Sequence, residues 1–142
     1  NKKTRHDEVH VTTLGDYGPN PIIFDAEEMT SLNQNFRSTL WTGNHFQVTL
    51  MTIPPAGDIG AEVHNDVDQF IKIEDGKGKV VIGPTKATMN YEHQVSDDYA
   101  IIIPAGFWHN VINTGDEALR LFSVYAPPVH EYGAVNQTKP HH

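Results

Sequence analysis

The sequence predicts an all-β domain whose short strands form a sandwich or a barrel. Eight or more short segments with the character of strands follow one another between residues 36 and 126. Turns that contain Gly or Pro separate them, as at Gly43-Asn44, Asp75-Gly76 and Gly83-Pro84. After residue 35, no segment shows a helical periodicity of useful length. Regularly spaced short strands with such turns are typical of all-β sandwiches and barrels.

Length and composition narrow the class of protein. A chain of 142 residues suits one domain with a single substantial core. The chain has no Cys, which excludes disulfides and thiolate metal sites. Its formal net charge of −8 argues against nucleic acid or an anionic membrane as the main partner. No apolar run approaches the roughly 18 residues of a spanning helix, and residues 1–10 do not resemble a signal peptide. We therefore expect a cytoplasmic protein with no nucleic-acid or membrane partner.

Residues 1–35 are predicted to form an N-terminal arm and a short helix. The first 24 residues are polar and fit an extended arm with one strand at residues 9–13. Asp25 and Glu28 have the spacing of a capping box, in which the first residue caps the helix and the second reaches back. A helix over residues 26–32 follows from this pattern.

Residues 36–126 are predicted to form the barrel, and residues 127–142 a C-terminal tail with no core pattern of its own. Pro54-Pro55 ends the second strand because neither residue can donate a backbone hydrogen bond. The segments around residues 80–82 and 100–103 are apolar on both faces, so a second layer or a partner subunit must cover one face. Residues 85–97 fit a hairpin limb plus a loop. The predicted strands are 36–42, 45–53, 61–64, 69–74, 77–82, 99–103, 108–113 and 118–125.

Glu62, His64 and His109 belong to residue types that bind divalent transition metals. On a strand, Glu62 and His64 point to the same face because they are two residues apart. His109 follows a Pro-Ala-Gly turn that fixes its direction. Imidazole with carboxylate or amide oxygen suits Fe(II), Mn, Ni, Zn or Cu in an open site, and two imidazoles plus one acid leave positions for substrate or water. The alternative is that these side chains are satisfied by hydrogen bonds and bind no metal.

Two segments resemble the paired motifs of the cupin superfamily, and in particular its small single-domain, mannose-6-phosphate isomerase-like members. The first segment runs from Gly57 to Gly76, and the second from Asp98 to Asn113, with Pro104-Ala-Gly106 and His109 at the motif spacing. The resemblance covers roughly residues 46–126. The second motif matches at every position except Asp98, which replaces a Gly.

The resemblance implies a double-stranded β-helix, a jelly-roll barrel, that forms a homodimer and binds a small molecule and one divalent transition metal. Carried over by position, the metal ligands are Glu62, His64, Gln69 and His109. This chain has Glu62 where the motif usually has His, and Gln69 where it usually has Glu. Gln69 is neutral and therefore a weak ligand, so it is a candidate for orienting a water instead. Asp68 is the rival acid, although strand alternation puts it on the opposite face from Gln69.

Three functions fit a small metal-binding cupin. The first is a sugar or sugar-phosphate isomerase in which Glu62 and His109 take part in catalysis, although no cluster of Arg or Lys stands out as a phosphate clamp. The second is a non-haem metal-dependent dioxygenase. The third is a non-catalytic module that binds a small molecule. Fold resemblance does not choose among them.

Further side chains are candidates for the barrel mouth. Arg37 and Trp41 are four apart on a predicted strand and are expected to share a face. Gln47 and Thr49 are two residues apart on the next predicted strand and are expected to share a face. In the tail, His130 with Tyr132 is hypothesised to fold over the opening.

Overall fold

The computed structural model describes residues 9–140, which form two antiparallel sheets and one short α-helix. The all-β prediction is therefore confirmed. Residues 86–88 form one turn of 3-10 helix. The helix is α1 (Ala26–Leu32), and the strands are β1 (Arg37–Thr42), β2 (Gln47–Ile53), β3 (Asp68–Asp75), β4 (Lys77–Gly83), β5 (Tyr91–Ser96), β6 (Ala100–Ile103), β7 (Trp108–Asn113), β8 (Leu119–Ala126) and β9 (Val135–Asn136).

The N-terminal segment matches its prediction in part. Asp25 caps α1, because its Oδ1 accepts a hydrogen bond of 3.1 Å from the Glu28 backbone N–H. No reciprocal bond from the Glu28 carboxylate forms among residues 9–140. The strand predicted at residues 9–13 is wrong, since His10 forms only one isolated bridge, with Ile23. The rest of the predicted arm, residues 1–8, lies outside the described residues. Within residues 9–140, no helix is long and apolar enough to cross a membrane.

The two sheets face each other as a jelly-roll barrel. The larger sheet has the strand order β6-β3-β8-β2-β1-β9, and the smaller has the order β5-β4-β7. Two isolated antiparallel bridges, Asp58 with Ile112 and Glu62 with His109, attach the segment 57–62 beside β7. The segment before β3 thus joins the smaller sheet and brings Glu62 alongside His109.

The barrel interior has an apolar half and a polar half. Register explains the division, because Ile53 pairs with Leu119 at one end of the larger sheet while Gln47 pairs with Tyr125 at the other. Side chains opposite each other in a register share a face of the sheet. The apolar half is a buried cluster of Phe36, Met51, Ile53, Ile59, Ile71, Ile73, Val80, Val95, Ile101, Ile103, Val111, Leu119 and Leu121. The polar side chains that face the other half include Thr39, Gln47, Thr49, Gln69, Ser123 and Tyr125.

A second layer covers part of the outer face of the larger sheet, but it lies over β1, β2 and β8 and not over the doubly apolar segments at residues 80–82 and 100–103. Met29 of α1 and Val11 of the N-terminal segment pack there against Leu40, Val48 and Leu50. All five side chains are at most 7% exposed.

A register shift in β1 contradicts the expectation that Arg37 and Trp41 share a face. Thr39 pairs with Thr49, but Trp41 pairs with Val48, so the ladder is irregular between Thr39 and Trp41. An extra residue in one strand reverses the alternation beyond it. Trp41 therefore packs with the outer cluster, whereas Arg37 is buried and lies opposite the inward-facing Met51.

The C-terminal tail is held by hydrogen bonds to distant parts of the chain. Gln47 Oε1 accepts from the backbone N–H groups of Val129 and His130 at 3.1 and 2.9 Å, and Gln47 Nε2 donates to the His130 carbonyl at 2.8 Å. Further along, β9 pairs with β1. The Asp16 carboxylate accepts from Gly133 N–H at 3.0 Å. The tail that lacks its own core pattern thus adds an edge strand to the larger sheet.

Candidate metal centre

Backbone pairing brings Glu62 and His109 together. Their N–H and C=O groups exchange two hydrogen bonds, of 3.0 and 2.9 Å, so the two side chains leave the sheet on the same face. The turn before His109 uses Gly106 at φ +88°, a conformation that Gly adopts without strain. The Gly106 N–H donates to the His64 carbonyl at 2.8 Å. The same turn therefore aims His109 and holds the backbone of His64.

The three side chains converge on one point. Glu62 Oε1 lies 3.4 Å from His64 Nε2 and 3.4 Å from His109 Nε2. The ligand atoms of all three residues lie within 4.8 Å of one another. The His109 side chain is 1% exposed, whereas those of Glu62 and His64 are 26% and 18% exposed. The cluster is therefore buried on the His109 side and open to solvent on the other.

The donor set fits a divalent transition metal. Ligand atoms at about 2.1 Å from one metal are about 3.0–3.5 Å apart for ordinary coordination angles, which agrees with the two observed separations. His109 Nδ1 lies 3.2 Å from the Phe107 carbonyl oxygen; donation there leaves the Nε2 lone pair facing the cluster. The Nε2 atoms of His64 and His109 are buried without a hydrogen-bond partner among the described residues. Each Nε2 lies 3.4 Å from Glu62 Oε1, which is long for a hydrogen bond, so the geometry favours a metal between the three side chains over hydrogen bonding alone.

Glu62 carries the negative charge that such a centre needs. Burial by itself would raise the pKa of Glu62, but the two imidazole groups beside it outweigh burial and lower the pKa to about 2. Glu62 is therefore ionised at neutral pH, and it is suited to binding a cation and poorly suited to accepting a proton.

Gln69 and Asp68 take opposite directions, as alternation predicted. Gln69 is 3% exposed and faces the interior, where its Nε2 donates to Ser123 Oγ at 3.4 Å. Its Oε1 is buried and has no hydrogen-bond partner within residues 9–140. Asp68 is exposed and accepts from the Ala105 N–H at 2.9 Å, so it does not reach the interior. A ligand or water-orienting role for Gln69 stays a prediction.

The tail contributes His130 to the polar half. The His130 ring meets the Tyr125 ring edge-on at 5.1 Å, and His64 meets Tyr125 from another direction at 5.8 Å. Burial, followed by the nearby charge of Arg37, lowers the pKa of His130 to about 4, so the ring is neutral at pH 7. Tyr132 behaves differently, because it is exposed and donates to the Asp16 carbonyl at 2.8 Å. Of the hypothesised pair, His130 alone lies beside the interior.

Sequence reasoning did not identify Ser123 and Tyr125 of β8, or Thr39 of β1, as interior residues. Ser123 and Tyr125 alternate with partly exposed residues along β8 and are both almost fully buried. Burial raises the pKa of the Tyr125 hydroxyl, which lies beside Thr49 and Ser123. The alternating pattern along residues 119–126 indicates a strand with one buried face. The pairing with β2 decides which face points inward, and that pairing cannot be derived from the pattern.

A separate cavity of about 440 Å³ lies toward the opposite end of the barrel. Its lining includes Thr52, Pro54, Asp58, Arg120 and Lys139. None of the three residues of the candidate metal centre lines it, so it is distinct from that centre.

Comparison with known proteins places the fold in a family. The cupin domain family matches residues 49–125. The chain is 52% identical over 126 residues to the uncharacterized protein YrkC of Bacillus subtilis (strain 168), covering 89% of this chain and 68% of YrkC. It is 34% identical over 119 residues to the uncharacterized protein L612 of Acanthamoeba polyphaga mimivirus, covering 83% of this chain and 72% of L612.

Solved structures show the same fold. The crystal structure of BH2720 from Bacillus halodurans superposes with a TM-score of 0.88 at 49% identity, over 89% of this chain and 96% of that chain. TT1209 from Thermus thermophilus shares the fold at a TM-score of 0.58 and 22% identity, over 66% of this chain and 83% of that chain. Because the family match spans more than half of the chain and includes Glu62, His64 and His109, this protein belongs to the cupin domain family.

Proposed function

We propose that this cupin is a metal-dependent enzyme of the non-haem oxygenase type, with one divalent transition metal held by Glu62, His64 and His109. One observation carries the proposal: two partnerless imidazole nitrogens and one ionised carboxylate lie within 4.8 Å of one another. Two His and one carboxylate form the donor set of non-haem Fe(II) oxygenases. When bound in such a set, the metal supplies adjacent open positions and redox chemistry.

The surrounding side chains suit the binding of a small polar substrate. Gln69, Thr39 and Thr49 each present a buried oxygen without a hydrogen-bond partner among the described residues. Buried polar atoms are normally paired, so several partnerless ones near a common interior favour a polar ligand or ordered water. The apolar half of the barrel closes the other side and limits the entry of water. These residues orient a substrate, and Glu62 contributes charge to the metal site.

An isomerase mechanism has less support. Aldose–ketose exchange needs a base that moves a proton near neutral pH. Glu62 belongs to the candidate ligand set and has a pKa of about 2, while His130 has a pKa of about 4. Both pKa values are too low for an efficient base at pH 7. The mannose-6-phosphate isomerase-like subtype therefore stays a prediction.

The test uses iron-loaded protein under anaerobic conditions. Nitric oxide, which binds where O₂ would, should give an iron–nitrosyl EPR signal in the wild type and none in the His109→Ala variant. The matched control is His93→Ala, because His93 is exposed on β5 and lies outside the cluster. Oxygen uptake with a panel of small organic acids and alcohols then tests turnover.

Three outcomes separate the candidate functions. An iron–nitrosyl signal with substrate-dependent oxygen uptake supports the oxygenase. Aldose–ketose exchange in Mn- or Zn-loaded protein without oxygen uptake would replace it with the isomerase. Failure to retain any of these metals would overturn both enzyme functions and leave the non-catalytic binding module.

We also propose that the protein is a homodimer, as the cupin resemblance implies. Apolar side chains remain exposed on the outer face of the larger sheet, with Ile102 at 70% exposure beside Phe70. The Phe70 and Phe122 rings lie 6.3 Å apart on the same face. A partner subunit would cover this stripe. A cytoplasmic location stays a prediction from composition.

A further inference from the structure

Arg37 is a buried cation without a countercharge. Arg37 is 8% exposed, and its side chain extends from β1 on the inner face of the larger sheet. Nη1 donates to Asn136 Oδ1 at 3.4 Å, a long hydrogen bond, and Nε is buried with no partner. No carboxylate in the described part of the chain lies within 4.0 Å of the guanidinium. Burying a charge in this way is costly unless something else pairs with it.

The other arginine of the larger sheet shows what a structural arginine looks like here. Arg120 Nη1 lies within hydrogen-bond distance of the Thr30 carbonyl, the Asn33 carbonyl and Thr52 Oγ1, at 3.2, 2.8 and 3.3 Å. It thereby ties α1 and the segment after it to β2 and β8. Arg37 has one long hydrogen bond and a guanidinium carbon 5.1 Å from the centre of the Phe36 ring, so no comparable set of acceptors accompanies its burial.

Arg37 faces the same interior as the candidate metal centre. The charges of Arg37 and Glu62 both act on the Tyr125 hydroxyl and on the His130 ring. Thr39, two residues from Arg37 on β1, pairs with Thr49 of β2, and both hydroxyl oxygens are buried without a partner. The Arg37 backbone pairs with Met51 of the apolar half, but the guanidinium charge influences the pKa of Tyr125 and of His130 in the polar half. The guanidinium and the two hydroxyl groups can all donate hydrogen bonds.

We propose that Arg37 binds the carboxylate of the substrate, which is a small carboxylic acid whose second oxygen group faces Glu62, His64 and His109. The planar guanidinium matches a carboxylate by two parallel hydrogen bonds. A divalent metal with Glu62 and Arg37 would leave excess positive charge in the polar half, and an anionic substrate offsets that charge. This inference rests on the proposed metal-dependent function and adds the substrate class.

The test compares pyruvate with its uncharged ester, methyl pyruvate, by calorimetric titration of zinc-loaded and metal-free protein. The variants are Arg37→Met and Arg37→Lys, with Lys79→Met as the charge-matched control, since Lys79 pairs with the exposed Glu92 on the smaller sheet. Loss of a charge-assisted bond should weaken pyruvate binding by about 10- to 100-fold in Arg37→Met. Methyl pyruvate binding and zinc content should not change. Arg37→Lys should be intermediate, and Lys79→Met should match the wild type.

The outcomes separate this inference from the metal proposal. Pyruvate binding that depends on Arg37 in a protein that retains no metal would support the inference and contradict the metal-dependent function. Equal binding of pyruvate and methyl pyruvate to the wild type, or unchanged pyruvate binding in Arg37→Met, would overturn the inference, and so would a preference for inorganic phosphate. If Arg37→Met does not fold, the Arg37 Nε–H NMR signal of the wild type provides the test. This signal should shift when pyruvate is added and should not shift with methyl pyruvate. A signal that does not change with pyruvate would contradict the inference.

Discussion

The acid of the candidate metal centre sits at an unusual position for the cupin motif. Glu62 occupies the place of the first motif His, and Gln69 occupies the place of the motif Glu. Glu62 is partly exposed, whereas Gln69 is almost fully buried on β3. The exchange moves the negative charge from the inside of the barrel to its solvent side. The interior then holds a neutral amide together with Arg37, and this charge balance is the basis for the anionic substrate that we propose.

Asp98 gives a prediction about backbone strain. It stands where the motif usually has Gly, and its φ is +73°, in the left-handed region. Its ion pair with Lys72 is 3.6 Å long and exposed, so it contributes little. We expect Asp98→Gly to be as stable as the wild type or more so. Asp98→Val should lower the free energy of unfolding by about 1–2 kcal/mol, since a β-branched residue is strained there.

Urea denaturation measures both variants, with Glu92→Val as the control because Val is favourable at an exposed strand position. A loss of more than about 1 kcal/mol in Asp98→Gly would show that the Asp98 side chain matters more than its backbone conformation.

At the scale of elements, the sequence predicted most strands and α1 because these depend on local patterns. It did not predict the irregularity in β1, which turns Trp41 outward and leaves Arg37 inward. Nor did it predict β9, because the bonds that hold the tail join residues far apart in the chain, such as Gln47 with His130. The residue pattern within a short stretch of sequence carries no information about hydrogen-bond partners that lie far away in the chain.

Gln47 gives a prediction about the tail. Its buried amide makes three hydrogen bonds with the backbone of Val129 and His130. Gln47→Ala should therefore lower the free energy of unfolding by about 1–3 kcal/mol, because buried backbone groups lose their partners. Hydrogen exchange at the Val129 and His130 amides should become faster. Gln34→Ala is the control, since its amide makes one long bond of 3.4 Å at the surface; equal exchange in both variants would contradict this role of Gln47.

At the scale of the whole molecule, the barrel separates stability from chemistry. The apolar half supplies the core, and the polar half holds the candidate centre with Arg37, Tyr125 and His130 around it. The fold and the three candidate ligands could be predicted from the motif spacing, but the strand expected over residues 61–64 does not form, and Glu62 makes only an isolated bridge with His109. The inward direction of Arg37 and Tyr125 could not be predicted, because it depends on the pairing of β1, β2 and β8.

The exposed apolar stripe gives a prediction about assembly. Light scattering should give twice the chain mass of 15.9 kDa for the wild type. Ile102→Glu should produce monomers that keep the fold, because a charge would be buried in the interface. Tyr91→Glu, on the smaller sheet and similarly exposed, should stay dimeric. A monomeric wild type, or a dimeric Ile102→Glu variant, would contradict this assembly.

The central claim is that Glu62, His64 and His109 hold one metal ion, and metal titration of chelator-treated protein tests it most directly. Wild-type protein and the His93→Ala control should each bind one equivalent of Zn²⁺, Mn²⁺ or Fe²⁺ per chain. A metal concentration of 100 times the dissociation constant should then stabilise the fold by about 2.7 kcal/mol. His109→Ala and Glu62→Gln should lose both the stoichiometric binding and the stabilisation. Wild-type protein that binds none of these ions, or a His109→Ala variant that binds them as tightly as the wild type, would contradict the claim.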